Sequence, residues 1–375
     1  MDSPSAPSPT RRRGAADIVW YATAHGYGHG VRSCDLMREL YRRRPGLAVT
    51  VSTGLASDFL QNRIGRASHP AFRARRLDVG MVQLDSVRVD TEATLAALAR
   101  LVAAHDALVE GETRFLRESG ARLVVADIPS IPLEAAKRCG IPAVAMGNFS
   151  WDWIYAAFAA RDARWRPAVE MFAQGYAQAD LLLELPFAAP MDAFPRKERI
   201  GCLARPGRNR REEIARETGA DPAARWVLLS FSTLDWDAAA VANAAATPGT
   251  EFFTVKPLEW KGAANLHAMD RDRFPFADVV ASADAVVTKP GYGILSDCLA
   301  NGKPLVGAER RDFAEYPVLV EALQRHFRSV PLSEADLYAG RLAEALAALE
   351  RQPAPPEPVP RDGAETAAER LLSFI

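Results

Sequence analysis

Near the start of the chain, Ala24 to Gly30 (AHGYGHG) sets His25 and His29 in one glycine-rich turn. An imidazole titrates near neutrality, so either ring can act as a general base toward a hydroxyl, or it can simply cap or pack the turn. Gly26, Gly28 and Gly30 are expected to allow close backbone approach and positive φ. Asp127 closes the apolar run Arg122 to Ala126 (RLVVA). Its carboxylate can orient one of the histidines and hold the imidazolium formed on proton abstraction, or it can serve as the N-cap of the helix that follows. In the second half of the chain, Thr288 to Ile294 (TKPGYGI) puts Gly291, Tyr292 and Gly293 between a strand and a helix. Backbone amides and a helix dipole there would meet a phosphate, with Lys289 adding positive charge. A second loop, Ser230 to Thr233 (SFST), carries the hydroxyls of Ser230, Ser232 and Thr233, and two such loops facing one edge suit a diphosphate. Asn148 to Trp153 (NFSWDW) follows a strand, so Asn148, Trp151 and Asp152 either line an acceptor site with Gly28 or belong to core packing.

These segments need a framework that brings strand ends together. From Asp17 the pattern runs strand, turn, helix and repeats: apolar runs at Ile18 to Thr23, Ala48 to Ser52, Arg122 to Ala126, Pro142 to Met146 and Ala179 to Leu185 alternate with helical stretches. The helices include Val31 to Arg43, Thr91 to Leu116 and Ile131 to Cys139, the last with Gly140 as its natural C-cap. Such alternation implies a parallel sheet covered on both faces, the doubly wound α/β arrangement. Prolines then punctuate the chain from Pro186 to about Arg210, which reads as an interdomain crossover. A second series follows, with strands at Trp226 to Ser230, Glu251 to Val255, Ala285 to Thr288 and Pro304 to Val306. Pro353 to Pro360 is a stiff extended link to a last amphipathic helix, Ala364 to Phe374. The expected organisation is a tail over 1–15, a first domain over 16–205, a second over 206–352, and the link and helix over 353–375.

Composition narrows the function. With 375 residues and a formal net charge of −1, the chain is long enough for two domains and carries no excess of basic charge for bulk polyanion binding. The cluster Arg11, Arg12 and Arg13 falls in a Ser/Pro-rich start without an apolar core, so neither a signal peptide nor a membrane span is expected and the protein should stay in the cytoplasm. Four scattered cysteines without a CxxC pair suggest neither a metal site nor a disulfide framework. The dinucleotide fingerprint GxGxxG is not met and no acidic residue closes the second strand, which argues against a nicotinamide enzyme; the second turn lacks the GKS/T ending of a P-loop.

The two halves together resemble a GT-B glycosyltransferase, in which two Rossmann-like domains face a cleft and the C-terminal one holds a nucleotide-sugar. Gly28-His29 opening a helix is similar to the GH turn of that superfamily, whose His serves as base in inverting members, and Asp127 sits where plant-type members carry its carboxylate partner. Thr288 to Gly291 followed by Ala300 to Pro304 (ANGKP) resembles the diphosphate segment of the branch with the lipid-linked GlcNAc transferase and the galactolipid synthases. More closely, Thr23 to Arg32 (TAHGYGHGVR) and Asn148 to Asp152 (NFSWD) resemble the glycosyltransferase-like N-terminal region of plant arabinokinases. The resemblance implies that Asp297 takes the helix position of a Glu on the nucleotide ribose and puts Phe276 near the base, with core packing as the alternative for Phe276. It puts Glu309, Arg310 and Asp312 in the donor-sugar region, where the usual Asp/Gln pair is missing, and Arg32 where many relatives have Pro. The expected activity is transfer of a sugar from a nucleotide-sugar co-substrate to a small-molecule or glycan hydroxyl, inverting and without a metal or other cofactor. A nucleotide-sugar epimerase and a non-catalytic nucleotide-sugar sensor are the alternatives.

Overall fold

A computed structural model describes residues 15–83, 89–310, 313–355 and 357–375. The Arg11 to Arg13 cluster, all but the last residue of the expected tail, and Asp312 lie outside them. The chain builds two parallel sheets. The first takes β1 (Ile18–Ala22), β2 (Val49–Thr53), β3 (Ala71–Ala74), β4 (Leu123–Asp127), β5 (Ala143–Gly147), β6 (Leu181–Glu184) and β7 (Lys197–Arg199), ordered 3-2-1-4-5-6-7. The second takes β8 (Arg225–Ser230), β9 (Thr250–Val255), β10 (Leu266–Met269), β11 (Ala285–Thr288), β12 (Leu305–Ala308) and β13 (Ser329–Leu332), ordered 10-9-8-11-12-13. In each sheet the strand order reverses beside the first strand in sequence, and that switch point opens a crevice at the strands' carboxyl ends. Both glycine turns leave central strands next to these switch points: β1 is flanked by β2 and β4, and β11 by β8 and β12.

The central strands are short apolar runs because both faces are covered. Ile18, Val19, Trp20 and Tyr21 are all buried, and alternate residues feed two cores: Val19 and Tyr21 on one face, Ile18 and Trp20 on the other. The helix Ile131–Cys139 ends at Gly140, which takes φ 66° as a left-handed C-cap, as the sequence leads one to expect.

Four strands escape the sequence reading: β3 (AFRA), β7 (KER), β10 (LHAM) and β13 (SVPL). All are three or four residues long and close the edges of the sheets, where charge and proline are tolerated on the open side. β7 lies inside the stretch read as pure crossover and pairs with β6. The last helix, Gly363–Leu372, returns to the first sheet: Ala364, Ala367, Ala368 and Leu371 pack in the same core as Ile18 and Trp20. Its entry requires glycine at 363, because a Cβ there would lie 2.0 Å from the Gly201 carbonyl oxygen. No helix of the described residues is long and apolar enough to cross a membrane.

Candidate functional site

Two helices start from the two glycine turns and meet end to end. The helix Tyr27–Arg43 has Gly26 as its N-cap (φ −158°, ψ 153°), and the helix Tyr292–Asn301 has Gly291 in nearly the same conformation (φ −161°, ψ 148°). Neither start is capped by a side chain among the described residues, so the first-turn amides are left without intrahelical partners. Gly28 and Gly293 hold the same second helical position, and a Cβ built on Gly28 would stand 4.0 Å from the Gly293 Cα. The positive ends of two helix dipoles therefore converge on one gap between the domains. The expectation of positive φ at Gly26, Gly28 and Gly30 is not met: none is among the positive-φ glycines. Their value is room instead, since a Cβ on Gly30 would come within 2.6 Å of Leu55 Cδ1.

On the N-terminal side of the gap stands a buried network. His29, in the first turn of its helix, has Nδ1 2.8 Å from Asp127 Oδ1, and Asp127 is 0% exposed. Arg32, one turn further, donates through Nε to Asp127 Oδ2 at 2.7 Å and through a second nitrogen to Oδ1, and Ser33 Oγ donates to Oδ2 at 3.3 Å. Burial resists ionisation of Asp127, but Arg32 and His29 outweigh it and hold the carboxyl down at about 2. Nδ1 stands between Asp127 Oδ1, which only accepts, and Arg32 Nη2 at 3.0 Å, which only donates; a ring that gives its Nδ1 proton to Asp127 has Nε2 as its free nitrogen. This bonding replaces the N-cap alternative for Asp127; the helix Ile131–Cys139 has Ser130 as its N-cap.

His25 is half-buried, its ring against Gly80, where a Cβ would fall 2.2 Å from Nδ1, and edge-on to Trp151 at 5.3 Å. Burial, then the charges of His29, Lys289 and Arg310, push its pKa down to about 4, so at neutral pH it bonds as an uncharged ring. Lys289 and Arg310 come from the other domain, which places both cations across the gap. Arg310 donates to the Pro290 carbonyl at 3.2 Å and lies over the Phe313 ring, while its Nε is buried without a partner among the described residues. Burial lowers its pKa to about 10. Tyr292 stacks on Phe149 (centroids 5.7 Å apart, planes 24°), and Phe149 is edge-on to His29 at 5.8 Å; the Tyr292 hydroxyl is buried with no partner among the described residues.

The other sequence candidates distribute unevenly. Ser230 ends β8, and Ser232 and Thr233 are exposed on the loop after it. Asn148 is buried with both ends of its amide engaged: Oδ1 accepts from Arg32 and Nδ2 donates to the Pro186 carbonyl at 2.6 Å. Trp151 is 1% exposed and donates Nε1 to Asp78 at 3.0 Å. Asp152 is half-buried in the first turn of the helix Trp151–Ala159. Phe276 packs against the core around Phe274. Asp297 is turned toward Asp35 and Arg63 of the first domain; burial raises it to about 7, with Arg63 pulling down and Asp35 pushing up. Glu309 is exposed at the end of β12.

Two participants were missed. Arg32 enters the sequence reading only as a departure from relatives, although its i+3 spacing from His29 puts both on one helix face. Asp78, hydrogen-bonded to Thr23 and Trp151 and within electrostatic reach of His29 and Asp127, comes from the loop after the unread edge strand β3.

Two parallel-sheet α/β domains facing a gap at their strand ends make this the GT-B fold. It matches the calicheamicin glycosyltransferase CalG4 with a TM-score of 0.64 at 18% identity, over 96% of this chain and 98% of that one. It also matches Medicago truncatula UGT71G1 complexed with UDP-glucose, with a TM-score of 0.62 at 11% identity, over 96% and 95% of the two chains. In sequence the chain is similar to the L-arabinokinase of Arabidopsis thaliana, 29% identical over 339 residues, which are 86% of this chain and 31% of that protein. The chain thus spans about a third of the length of the curated relative it matches. No family model matches it.

Proposed function

We propose that this protein is a nucleotide-sugar-dependent glycosyltransferase acting on an acceptor hydroxyl by a metal-independent, inverting displacement. The observation that carries the reading is the His29–Asp127 pair at 2.8 Å, set opposite the uncapped helix start at Gly291 to Gly293. The acceptor O–H gives its proton to His29 Nε2 as its oxygen attacks the anomeric carbon. The bond from that carbon to the diphosphate breaks, and the nucleoside diphosphate leaves with the electron pair. Asp127 orients the ring and holds the imidazolium. Lys289, Arg310, the amides of Gly291, Tyr292 and Gly293 and the hydroxyls of Ser230, Ser232 and Thr233 take up the charge of the leaving group, the work a divalent ion does in other transferases. Inversion follows from a base and a leaving group on opposite faces of the sugar. Asp297 serves the ribose, Phe276 the base, and Glu309, Arg310 and Asp312 the donor sugar. Residues 16–205 form the acceptor domain and 206–352 the donor domain, with 353–375 as link and helix, and the protein works in the cytoplasm. UGT71G1, of the same fold, is known as a complex with UDP-glucose, which supports a uridine donor.

The test is release of nucleotide from UDP-, dTDP- and GDP-sugars, with and without added acceptor. Release that requires an acceptor is the expected result. Release together with an altered sugar and no acceptor would make the protein an epimerase. Tight binding without release would make it a sensor.

A further inference from the structure

The sequence FRARR carries three arginines, Arg73, Arg75 and Arg76, at the end of β3 and into the loop beyond. Arg73 and Arg75 are spent on one buried carboxylate: Arg73 binds Glu112 with two nitrogens at 2.7 and 2.9 Å, and Arg75 Nε reaches it at 2.7 Å. Arg76 is exposed and has no carboxylate partner among the described residues. It is nevertheless seated. A Cβ on Gly54, which follows β2, would come within 2.5 Å of Arg76 Nε, 2.6 Å of its Cγ and 3.0 Å of the Ala24 Cβ. The missing side chain at Gly54 leaves a slot over the ends of β1 and β2, and Arg76 lies in it beside the residue that precedes His25.

The charge around the base points the same way. Arg32 cancels Asp127, so the proton that His29 takes from the acceptor adds one positive charge that this pair does not offset. Asp78 is already engaged with Trp151 and the Thr23 hydroxyl, and burial raises its pKa from the ordinary carboxylate value. Burial pushes Asp152 the same way. On the reading above, the diphosphate of the donor consumes Lys289 and Arg310. The acceptor side gains a cation as the proton moves, and it holds in Arg76 a guanidinium without a carboxylate partner among the described residues.

We propose that the acceptor is an acid, a molecule bearing a carboxylate or phosphate, and that Arg76 reads that anionic group. This deepens the glycosyltransferase reading and rests on it for the word acceptor. A guanidinium fork recognises either oxyanion through two parallel hydrogen bonds, so the two share one chemistry.

The experiment titrates the full chain, with and without UDP, against D-glucuronate, D-glucose 6-phosphate and D-glucose, following binding by saturation-transfer NMR. At least one acid binds tenfold or more tighter than glucose, and comparison of the two acids tells carboxylate from phosphate. Arg76→Ala removes about 10- to 100-fold of that preference, in line with a charge-assisted hydrogen bond, and leaves glucose binding unchanged. Gly54→Ala, which fills the slot, weakens the acids with Arg76 still present, and Arg76→Lys restores part of the loss. Equal binding of acids and glucose, or a preference that survives Arg76→Ala, overturns the proposal. Failure of UDP to bind while the acid preference persists would instead strike the glycosyltransferase reading.

Discussion

In the network around His29 the charged groups are spent on one another, whereas across the gap two buried polar atoms are left without partners among the described residues. Asp127 receives His29, Arg32 and Ser33, and Arg32 goes on to Asn148, which in turn holds the Pro186 carbonyl. Across the gap the Tyr292 hydroxyl and Arg310 Nε are buried without partners among the described residues. Buried polar atoms are costly to leave unmade, and on the proposed reading a ligand entering the gap supplies partners for these two. On the proposed reading the first half holds a proton acceptor in one orientation before anything binds, and the second is completed by an anion. The same secondary-structure device, a glycine-capped helix start, serves both, and the side chains placed around it decide which job it does.

The contrast can be broken in four ways, the strongest first. His29→Ala should cut turnover by about 10²- to 10⁴-fold, the range for loss of a general base, while nucleotide affinity measured by calorimetry changes less than about twofold. Turnover near the wild-type rate would remove His29 from the base role. Asp127→Asn should cost about 3 to 5 kcal/mol in chemical denaturation, because Arg32 then keeps a buried charge without its counter-charge. The same residue sets an acid limit. Its folded pKa of about 2 lies below the usual carboxylate value of about 3.9, so its contribution is present above about pH 4 and is lost as pH falls through 2. The Asn variant should lose that part of the acid transition, which stability curves from pH 2 to 6 would reveal.

The other two act on the open half. Lys289→Ala should weaken UDP binding by about 10- to 100-fold at low salt, as expected for loss of a charge-assisted contact to the diphosphate. A protein that binds UDP as before would place the diphosphate elsewhere. Tyr292→Phe gives the smallest effect: removing a hydroxyl with no partner among the described residues should leave thermal stability within about 0.5 kcal/mol, and its loss should weaken nucleotide binding only a few-fold. A large loss of stability on removing this one oxygen would mean that the hydroxyl is already satisfied in the free protein.

The apolar runs at Ile18, Arg122, Pro142 and Ala285 were readable because strands buried on both faces must be nearly continuous in hydrophobic residues. The edge strands AFRA, KER, LHAM and SVPL were not, since one open side lets charge and proline in and removes the pattern. That omission propagated into the site. Asp78 and Arg76 sit on the loop after β3, and without the strand nothing in the sequence says that this loop crosses toward His25. Asn148 was legible as a site residue, but the assignment of both ends of its amide to Arg32 and Pro186 required coordinates.

Local chemistry alone determines that this chain carries two strand-turn-helix units with glycine at the turn, a histidine in one and a lysine beside the other. The φ preferences of glycine and the period of apolar residues act over a few positions and need no knowledge of the rest. Only the tertiary structure decides that Asp127, 98 residues from His29, is its partner, that Arg32 shares that carboxylate, and that the helix starts at Gly28 and Gly293 come so close that a Cβ built on Gly28 would touch the other. These are consequences of how two sheets stack their switch points against each other. The packing that sets them is a sum over both cores rather than a property of any segment.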